Sequence, residues 1–229
     1  MFGDSLSQGL YRSEDFSPLF HPYSLELQKR LPGANVMESG LSGEEVGHML
    51  VRLKAKLLDI PVAQKPAVVV ILGGTNDIGI GRIRGPRIAE RLIEMHEHLR
   101  VLHDTDPAFA GLLHSVAVTV PVLLSRTDHN RQERMFVNDA LREYVSRSAR
   151  HHDGFTWLLD ISNLFLTQSC VPFGQTDEGC RAGAEPPFDP LNARFWDPRS
   201  PLHFSPQGYD ELGRIVFERL CLDREIATQ

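Results

Sequence analysis

Four short stretches of this sequence carry residue types that together could perform acyl transfer. Ser5 follows Gly-Asp near the start of the chain, and His203 precedes Phe-Ser-Pro-Gln-Gly-Tyr near its end. Between them lie a Ser-Gly-Leu-Ser-Gly stretch at residues 39–43 and a Gly-Gly-Thr-Asn-Asp stretch at residues 73–77. A serine hydroxyl is a weak nucleophile until a base such as imidazole removes its proton. N–H donors must then stabilise the oxyanion that forms, and glycine or asparagine can supply them.

This set of motifs, in this order, resembles the GDSL esterases of the SGNH hydrolase superfamily. The resemblance extends from Phe2 to about Leu220, and residues 73–77 are its most specific part. It implies a serine esterase that hydrolyses small-molecule carboxylic esters through an acyl-enzyme, without a metal or an organic cofactor. The site residues that it implies are Ser5 as nucleophile, His203 as base, and Ser5 N–H, Gly40 N–H and the Asn76 amide as oxyanion donors.

The residue that orients the histidine departs from the family pattern. The family usually has an aspartate three residues before its histidine, whereas this chain has Ser200 at that position. Asp197 is the nearest acid, and the two prolines between it and His203 could bend the loop so that its carboxylate reaches the ring. We expect Asp197 in this role. The alternatives are a Ser-His dyad assisted by the Ser200 hydroxyl, a backbone carbonyl or water, or orientation by Asp189.

Each motif also has a plainer interpretation. A Gly-Asp-Ser tripeptide often marks a turn, Gly40 suits a strand-to-helix turn, and a lone histidine before a helix is often structural. Residues 73–77 could form a phosphate-binding glycine loop, but the lysine of a P-loop does not follow them. The chain as a whole could therefore be a non-catalytic binding module on the same fold or a flavodoxin-like nucleotide-binding protein. A carbohydrate O-acetylesterase or a thioesterase of the superfamily is a further alternative.

The hydrophobic pattern predicts an α/β protein with a parallel sheet. Near-continuous apolar runs, typical of strands covered on both faces, alternate with segments of helical periodicity. The predicted strands span residues 67–72, 115–120 and 155–161, with a short one at 35–38. The predicted helices span 86–103 and 132–150, with others that begin after Ser205 and at Ser42, where Glu45 would complete a capping box.

We expect a single domain over residues 1–229, a three-layer αβα sandwich of about five parallel strands with a flavodoxin-like, SGNH hydrolase fold. Only Met1 and Phe2 precede Gly3, so either the first strand is very short or the true start of the chain lies upstream. A long Gly- and Pro-rich segment with scattered aromatic residues, about 163–196, is predicted to be a loop insertion, either a lid or a surface excursion.

Composition limits the partners that the chain can have. The formal net charge is −6 and the sequence pI is about 5.9, which argues against a nucleic-acid partner. No apolar run approaches the roughly 20 residues of a membrane-spanning helix, and no signal-peptide pattern is visible, so we expect a cytoplasmic protein without stable membrane insertion. Its oligomeric state stays open.

The cysteines and histidines outside the motifs point to no further site. No Cys/His spacing predicts a zinc site. Cys170 and Cys180 could pair in an exported protein, but free thiols are expected without an export signal. His96 lies in a charged helix and is expected to be solvated.

Overall fold

A parallel sheet of five strands forms the centre of the structure, a computed structural model that describes residues 1–109, 112–122, 128–150, 154–164, 194–200 and 202–227. The strands are β1 (Phe2–Gly3), β2 (Leu10–Arg12), β3 (Pro18–Phe20), β4 (Ser39–Gly40), β5 (Val68–Leu72), β6 (His114–Val118) and β7 (Thr156–Leu159). The sheet order is β4-β1-β5-β6-β7, and β2 pairs with β3 in a separate antiparallel hairpin. The predicted five-stranded parallel sheet is confirmed.

Helices cover both faces of the sheet. They are α1 (Ser5–Gln8), α2 (Ser24–Arg30), α3 (Val46–Asp59), α4 (Thr75–Gly79), α5 (Gly85–Thr105), α6 (Asp128–Arg150) and α7 (Pro206–Ala227). Alternate residues of β5 enter different cores, because successive side chains of a strand point to opposite faces. Val69 and Ile71 pack with residues of α3, α5 and α6, whereas Val70 and Leu72 pack with residues of α2 and α7. The structure is therefore the predicted three-layer sandwich.

The first strand is only two residues long but is hydrogen-bonded on both sides. Phe2 lies opposite Ser39 of β4 and Ile71 of β5, and Gly3 continues the same register. Because all three strands are parallel, their carboxyl ends meet at one edge of the sheet, which is where open α/β sheets place their ligands. The residues that follow β1, β4 and β5 therefore lie close together.

Two local predictions need correction. The β2–β3 hairpin lies in a segment for which the sequence predicted no strand. The proposed capping box at the start of α3 does not form, since Ser42 bonds to the Gln8 side chain instead. The Val46 N–H at the start of α3 is bound by the Asp77 carboxylate, 3.1 and 3.2 Å from its two oxygens. The helix start thus depends on a residue 31 positions away.

The expectation that His96 is solvated is wrong. Its ring is buried between α5 and the sheet, and its Nδ1 lies 3.1 Å from Ser115 Oγ. Ser115 Oγ in turn lies 3.0 Å from Thr156 Oγ1, and the Tyr144 ring stacks on the imidazole. Burial lowers the pKa of His96 to about 3, because the charged ring would lose its hydration.

Most of the predicted insertion at about 163–196 lies outside the described residues, because residues 165–193 are not among them. The prediction of free thiols at Cys170 and Cys180 lies wholly outside them. Among the described residues, no helix is both long enough and apolar enough to cross a membrane.

The buried histidine makes acid stability a test of the fold. The unfolded chain protonates His96 below about pH 6.5, whereas the folded chain does so only near pH 3, so the contribution of His96 to the free energy of unfolding falls as the pH drops through this window. Burial raises the pKa values of the Asp4 and Asp77 carboxyl groups to about 7 and about 6, and these groups contribute in the opposite direction, so the His96 contribution is measured against a variant. The loss can reach about 1.4 kcal/mol per pH unit. Urea unfolding between pH 7 and pH 4.5 should show that the free energy of unfolding of the wild type falls relative to that of His96→Gln as the pH drops. The exposed His48→Gln should keep the wild-type pH dependence, and equal slopes in all three proteins would contradict the account.

Candidate active site

Ser5 stands at a sharp turn between β1 and α1. The Asp4 side chain accepts the Leu6 N–H at 2.9 Å, and the Asp4 carbonyl accepts the Gln8 N–H at 3.1 Å. These two bonds fix the first turn of the helix on the end of the strand. No described residue accepts the Ser5 N–H, as is usual for the first N–H groups of a helix. The serine is thus held rigidly while its backbone donor stays available.

His203 sits in a closed loop that leads into α7. The Asp197 N–H donates to the His203 carbonyl at 3.1 Å, and the Ser205 N–H donates to the Phe195 carbonyl at 2.9 Å. The Trp196 and Phe204 rings contact each other edge-to-face, with centroids 5.0 Å apart. Ser205 Oγ accepts the Gly208 N–H at 3.1 Å, so Ser205 caps α7 as the sequence predicted. The two strands of the loop are thereby joined on both sides of the histidine.

The fold brings the predicted nucleophile and base into contact. His203 Nε2 lies 3.0 Å from Ser5 Oγ, although the two residues are 198 positions apart. The other ring nitrogen, Nδ1, lies 2.6 Å from Ser200 Oγ. For Nε2 to accept the Ser5 proton, Nδ1 must carry the ring hydrogen and donate it to Ser200 Oγ. All three side chains are buried.

Asp197 does not make the contact that we expected of it. Its Oδ2 accepts the Arg12 N–H at 2.8 Å, and its Oδ1 accepts the Arg199 N–H at 2.9 Å. The carboxylate therefore ties the histidine loop to β2, and the Ser200 hydroxyl takes the place on the ring. This is the alternative that the sequence left open. Asp189 lies outside the described residues.

Asn76 lies at the carboxyl end of β5, next to the end of β1. Its Nδ2 donates one hydrogen to the Glu44 carbonyl at 3.0 Å, which fixes the amide plane. A primary amide carries two N–H donors, and among the described residues only the Glu44 carbonyl accepts one of them. The neighbouring Asp77 anchors α3, as described above, and takes no part in orienting His203.

Gly40 is not oriented as an oxyanion donor. In β4, the N–H groups of Ser39 and Leu41 donate to β1, at 2.8 Å to the Met1 carbonyl and 3.0 Å to the Gly3 carbonyl. Since N–H groups alternate along a strand, the Gly40 N–H points to the opposite side, where the Glu38 carboxylate accepts it. A Cβ at Gly40 would collide with the backbone of α1, so this glycine serves close packing.

The sequence reasoning missed a second glycine in the same motif. Gly43 has a φ of +81°, in the left-handed region that favours glycine, and the space around its Cα is open. No described residue accepts its N–H. It directly precedes Glu44, whose carbonyl holds the Asn76 amide. The sequence does indicate this candidate, because residues 39–43 contain two glycines, and only the first was considered as a donor.

Comparison with known protein families identifies the family of this chain. Residues 1–211 match the model of the GDSL-like lipase/acylhydrolase family. The chain belongs to this family. No curated protein matches the sequence significantly.

Solved structures with the same fold include two esterases of stated activity. An aryl esterase from M. smegmatis is 18% identical with a TM-score of 0.64, and the match covers 96% of this chain and 95% of that one. Est24, a carbohydrate acetylesterase from Sinorhizobium meliloti, is 15% identical with a TM-score of 0.62, and the match covers 96% of each chain. A lipolytic G-D-S-L protein from Veillonella parvula is 15% identical with a TM-score of 0.61, and the match covers 95% of this chain and 94% of that one.

His203 of this GDSL-like protein sits in an electrostatic environment that favours the neutral form of its ring. Burial lowers the pKa of His203 to about 4. The negative charge of Asp197 opposes this shift, and the positive charge of Arg12 adds to it. Since the ring is neutral above this pKa, it can accept a proton at neutral pH.

The titration of His203 tests this arrangement without any substrate. We expect NMR of the ring Cε1–H group to give a pKa of about 4 in the wild type. Ser200→Asp places a carboxylate beside Nδ1 and should raise that pKa by about 1 to 3 pH units. Ser200→Ala, which adds no charge, is the matched control, and His203→Gln assigns the signal. A wild-type midpoint near that of a free histidine would contradict the site geometry.

Proposed function

We propose that this protein is a serine esterase that hydrolyses small carboxylic esters through an acyl-enzyme on Ser5. The observation that carries the proposal is the 3.0 Å contact between His203 Nε2 and Ser5 Oγ, at the edge of the sheet where the Asn76 amide also lies. A nucleophile within hydrogen-bond reach of a base, whose other nitrogen is held by a third group, is the arrangement that acyl transfer requires.

The reaction follows from the positions of these atoms. His203 Nε2 takes the proton of Ser5 as Oγ attacks the carbonyl carbon of the ester. The tetrahedral intermediate then collapses, its C–O bond to the alcohol breaks, and His203 returns the proton to the leaving oxygen. A water molecule, deprotonated by the same nitrogen, attacks the acyl group on Ser5. The carboxylic acid leaves, and the serine regains its hydrogen.

The oxyanion donors that we propose are the Ser5 N–H, the free N–H of the Asn76 amide and the Gly43 N–H. Gly43 replaces the expected Gly40, since the Gly40 N–H points away from β1 and is bound by the Glu38 carboxylate. Loss of one such donor typically lowers kcat by about 10²- to 10³-fold.

We propose that Ser200 orients His203. Its hydroxyl accepts the Nδ1 hydrogen at 2.6 Å and fixes the tautomer that the reaction needs. A hydroxyl is neutral, so it stabilises the imidazolium less than a carboxylate would. We therefore expect a lower kcat than a carboxylate in the place of Ser200 would give. The imidazole of His203 in turn stays neutral down to a lower pH than it would beside a carboxylate.

The acyl and alcohol groups of the substrate are the next part of the proposed function to assay. The structurally similar proteins include one described as an aryl esterase and one described as a carbohydrate acetylesterase. Aryl acetates and acetylated sugars are therefore the first two ester classes to assay, with acyl chains of increasing length as a third series.

Loss of the Ser5 hydroxyl tests the proposed reaction. We expect the wild type to hydrolyse p-nitrophenyl acetate and Ser5→Ala to lose at least about 10³-fold in kcat/KM, since the acyl-enzyme can no longer form. Ser146→Ala, at an exposed serine on α6 and far from β1, should keep the wild-type rate. A wild type without activity on any ester class would instead support the non-catalytic binding module.

Ser200 and Asp197, the two candidates for orienting His203, are distinguished by measuring kcat and the free energy of unfolding of their variants. Ser200→Ala should lower kcat by about tenfold without a large change in stability, because one hydrogen bond to the ring is lost. Asp197→Asn leaves one of two backbone N–H groups without its carboxylate acceptor and should lower the free energy of unfolding by about 1–3 kcal/mol.

We expect Asp197→Asn to affect kcat per folded site less than Ser200→Ala does. The sites are counted by phosphonate titration and the stability is measured by urea unfolding. The opposite ranking of the two kcat values would restore Asp197 as the orienting residue.

A further inference from the structure

Arg52 on α3 contacts neither Ser5 nor His203, but its guanidinium group binds three segments that surround them. Its Nε lies 2.9 and 3.0 Å from the two carboxylate oxygens of Glu44. Nη1 donates to the carbonyl and hydroxyl of Ser39 at 3.1 and 3.0 Å. Nη2 donates to the Gly3 carbonyl at 3.0 Å and to Glu44 Oε2 at 2.5 Å. All five N–H donors of the side chain are thus in use.

The partners of Arg52 are the segments that carry the proposed oxyanion donors. Gly3 ends β1, two residues before Ser5, and Ser39 lies on β4 beside it. Glu44 follows Gly43 directly, and its carbonyl accepts the Asn76 Nδ2 hydrogen at 3.0 Å. One side chain therefore links the strand of the nucleophile, the glycine turn and, through Glu44, the asparagine amide.

The environment of this group makes the link rigid. The Glu44 side chain is 6% exposed and that of Arg52 is 25% exposed, and the guanidinium lies 4.2 Å from the centroid of the Phe2 ring. A partly desolvated, bidentate pair of this kind has a fixed geometry. Lysine cannot reproduce it, because an ammonium group lacks the planar fork and has three donors instead of five.

We propose that Arg52 is a positioning residue that sets the spacing of the oxyanion donors by holding Glu44 against the ends of β1 and β4. The inference rests on the proposed esterase function. Arg52 has no free donor for a substrate, so it acts through the groups that it holds. Stabilisation of an oxyanion depends on donors placed to within a fraction of an ångström, so a looser Glu44 must weaken the transition state more than substrate binding.

The activity test compares Arg52→Lys and Glu44→Gln with Arg142→Lys. Arg142 on α6 is a matched control, because its guanidinium also binds several groups, on Asp139, Asp160 and Ser162, at the far edge of the sheet. With p-nitrophenyl acetate and sites counted by phosphonate titration, Arg52→Lys should lower kcat by about 10- to 100-fold, the range typical of groups that support a site indirectly. Its KM should stay within about threefold of the wild type, as should both constants of Arg142→Lys.

Two further readouts define the role of Arg52: the first tests whether its effect passes through His203, and the second separates positioning from a merely structural role. The acid limb of the pH–rate profile should not move in Arg52→Lys, because the surroundings of His203 are unchanged. A residue that only stabilised the fold would lower the midpoint of thermal unfolding but leave kcat per titrated site at the wild-type value. That outcome in both Arg52→Lys and Glu44→Gln would overturn the proposal.

An NMR measurement tests the link even if the wild type hydrolyses no ester, in which case the proposed function fails separately. We expect hydrogen exchange of the Asn76 side-chain amide to accelerate at least about tenfold in Arg52→Lys, because its acceptor on Glu44 is no longer held. Arg142→Lys should leave the exchange rate unchanged. Equal exchange rates in the wild type and Arg52→Lys would show that Arg52 does not hold the amide, and the inference would fall.

Discussion

The contact between the His203 imidazole and the Ser5 hydroxyl depends on the parallel register of three strands. Ser5 follows a strand of only two residues, and that strand is held in place by β4 on one side and β5 on the other. The same register brings Gly43 and Asn76 to the edge where Ser5 emerges. The histidine reaches this edge from the far end of the chain, on a loop closed by backbone bonds at Asp197 and Ser205. Sheet and loop together create a site that no local segment could form.

Burial and the neighbouring groups Ser200 and Asp197 together determine the protonation state of His203. Where the family usually has a carboxylate on the histidine, this chain places a hydroxyl, and the nearby carboxylate of Asp197 accepts two backbone N–H groups instead. With burial dominant, the imidazole loses its proton more readily than a free histidine does. The consequence is an imidazole that is neutral at neutral and mildly acidic pH, and whose charged form is stabilised less by the Ser200 hydroxyl than it would be by a carboxylate.

Sequence patterns located the residues whose surroundings are local. Ser5 and Asn76 each follow a strand, and His203 precedes a capped helix, so a short motif is enough to indicate the position of each. The burial of His96 could also have been predicted from the sequence, because it lies four residues after Leu92 and three before Leu99 on the buried stripe of α5. Because histidine is polar, we expected the ring to be solvated, although its spacing from Leu92 and Leu99 indicates a buried position.

The remaining features depend on partners that are distant in the chain. Whether Asp197 or Ser200 faces the ring is decided by the Arg12 N–H, 185 positions away, which binds the aspartate. Which glycine of residues 39–43 offers its N–H depends on the pairing of β4 with β1, since one step along a strand reverses the direction of the N–H group. The start of α3 depends in the same way on Asp77. None of these contacts leaves a pattern in the local sequence.

Covalent labelling measures the central claim most directly. Treatment with a fluorophosphonate, followed by peptide mapping by mass spectrometry, should give one adduct per chain on Ser5. The rate of its formation should fall at least about 10³-fold in His203→Gln, because the hydroxyl then has no base. An adduct on another residue, or equal labelling rates in the wild type and the histidine variant, would contradict the account.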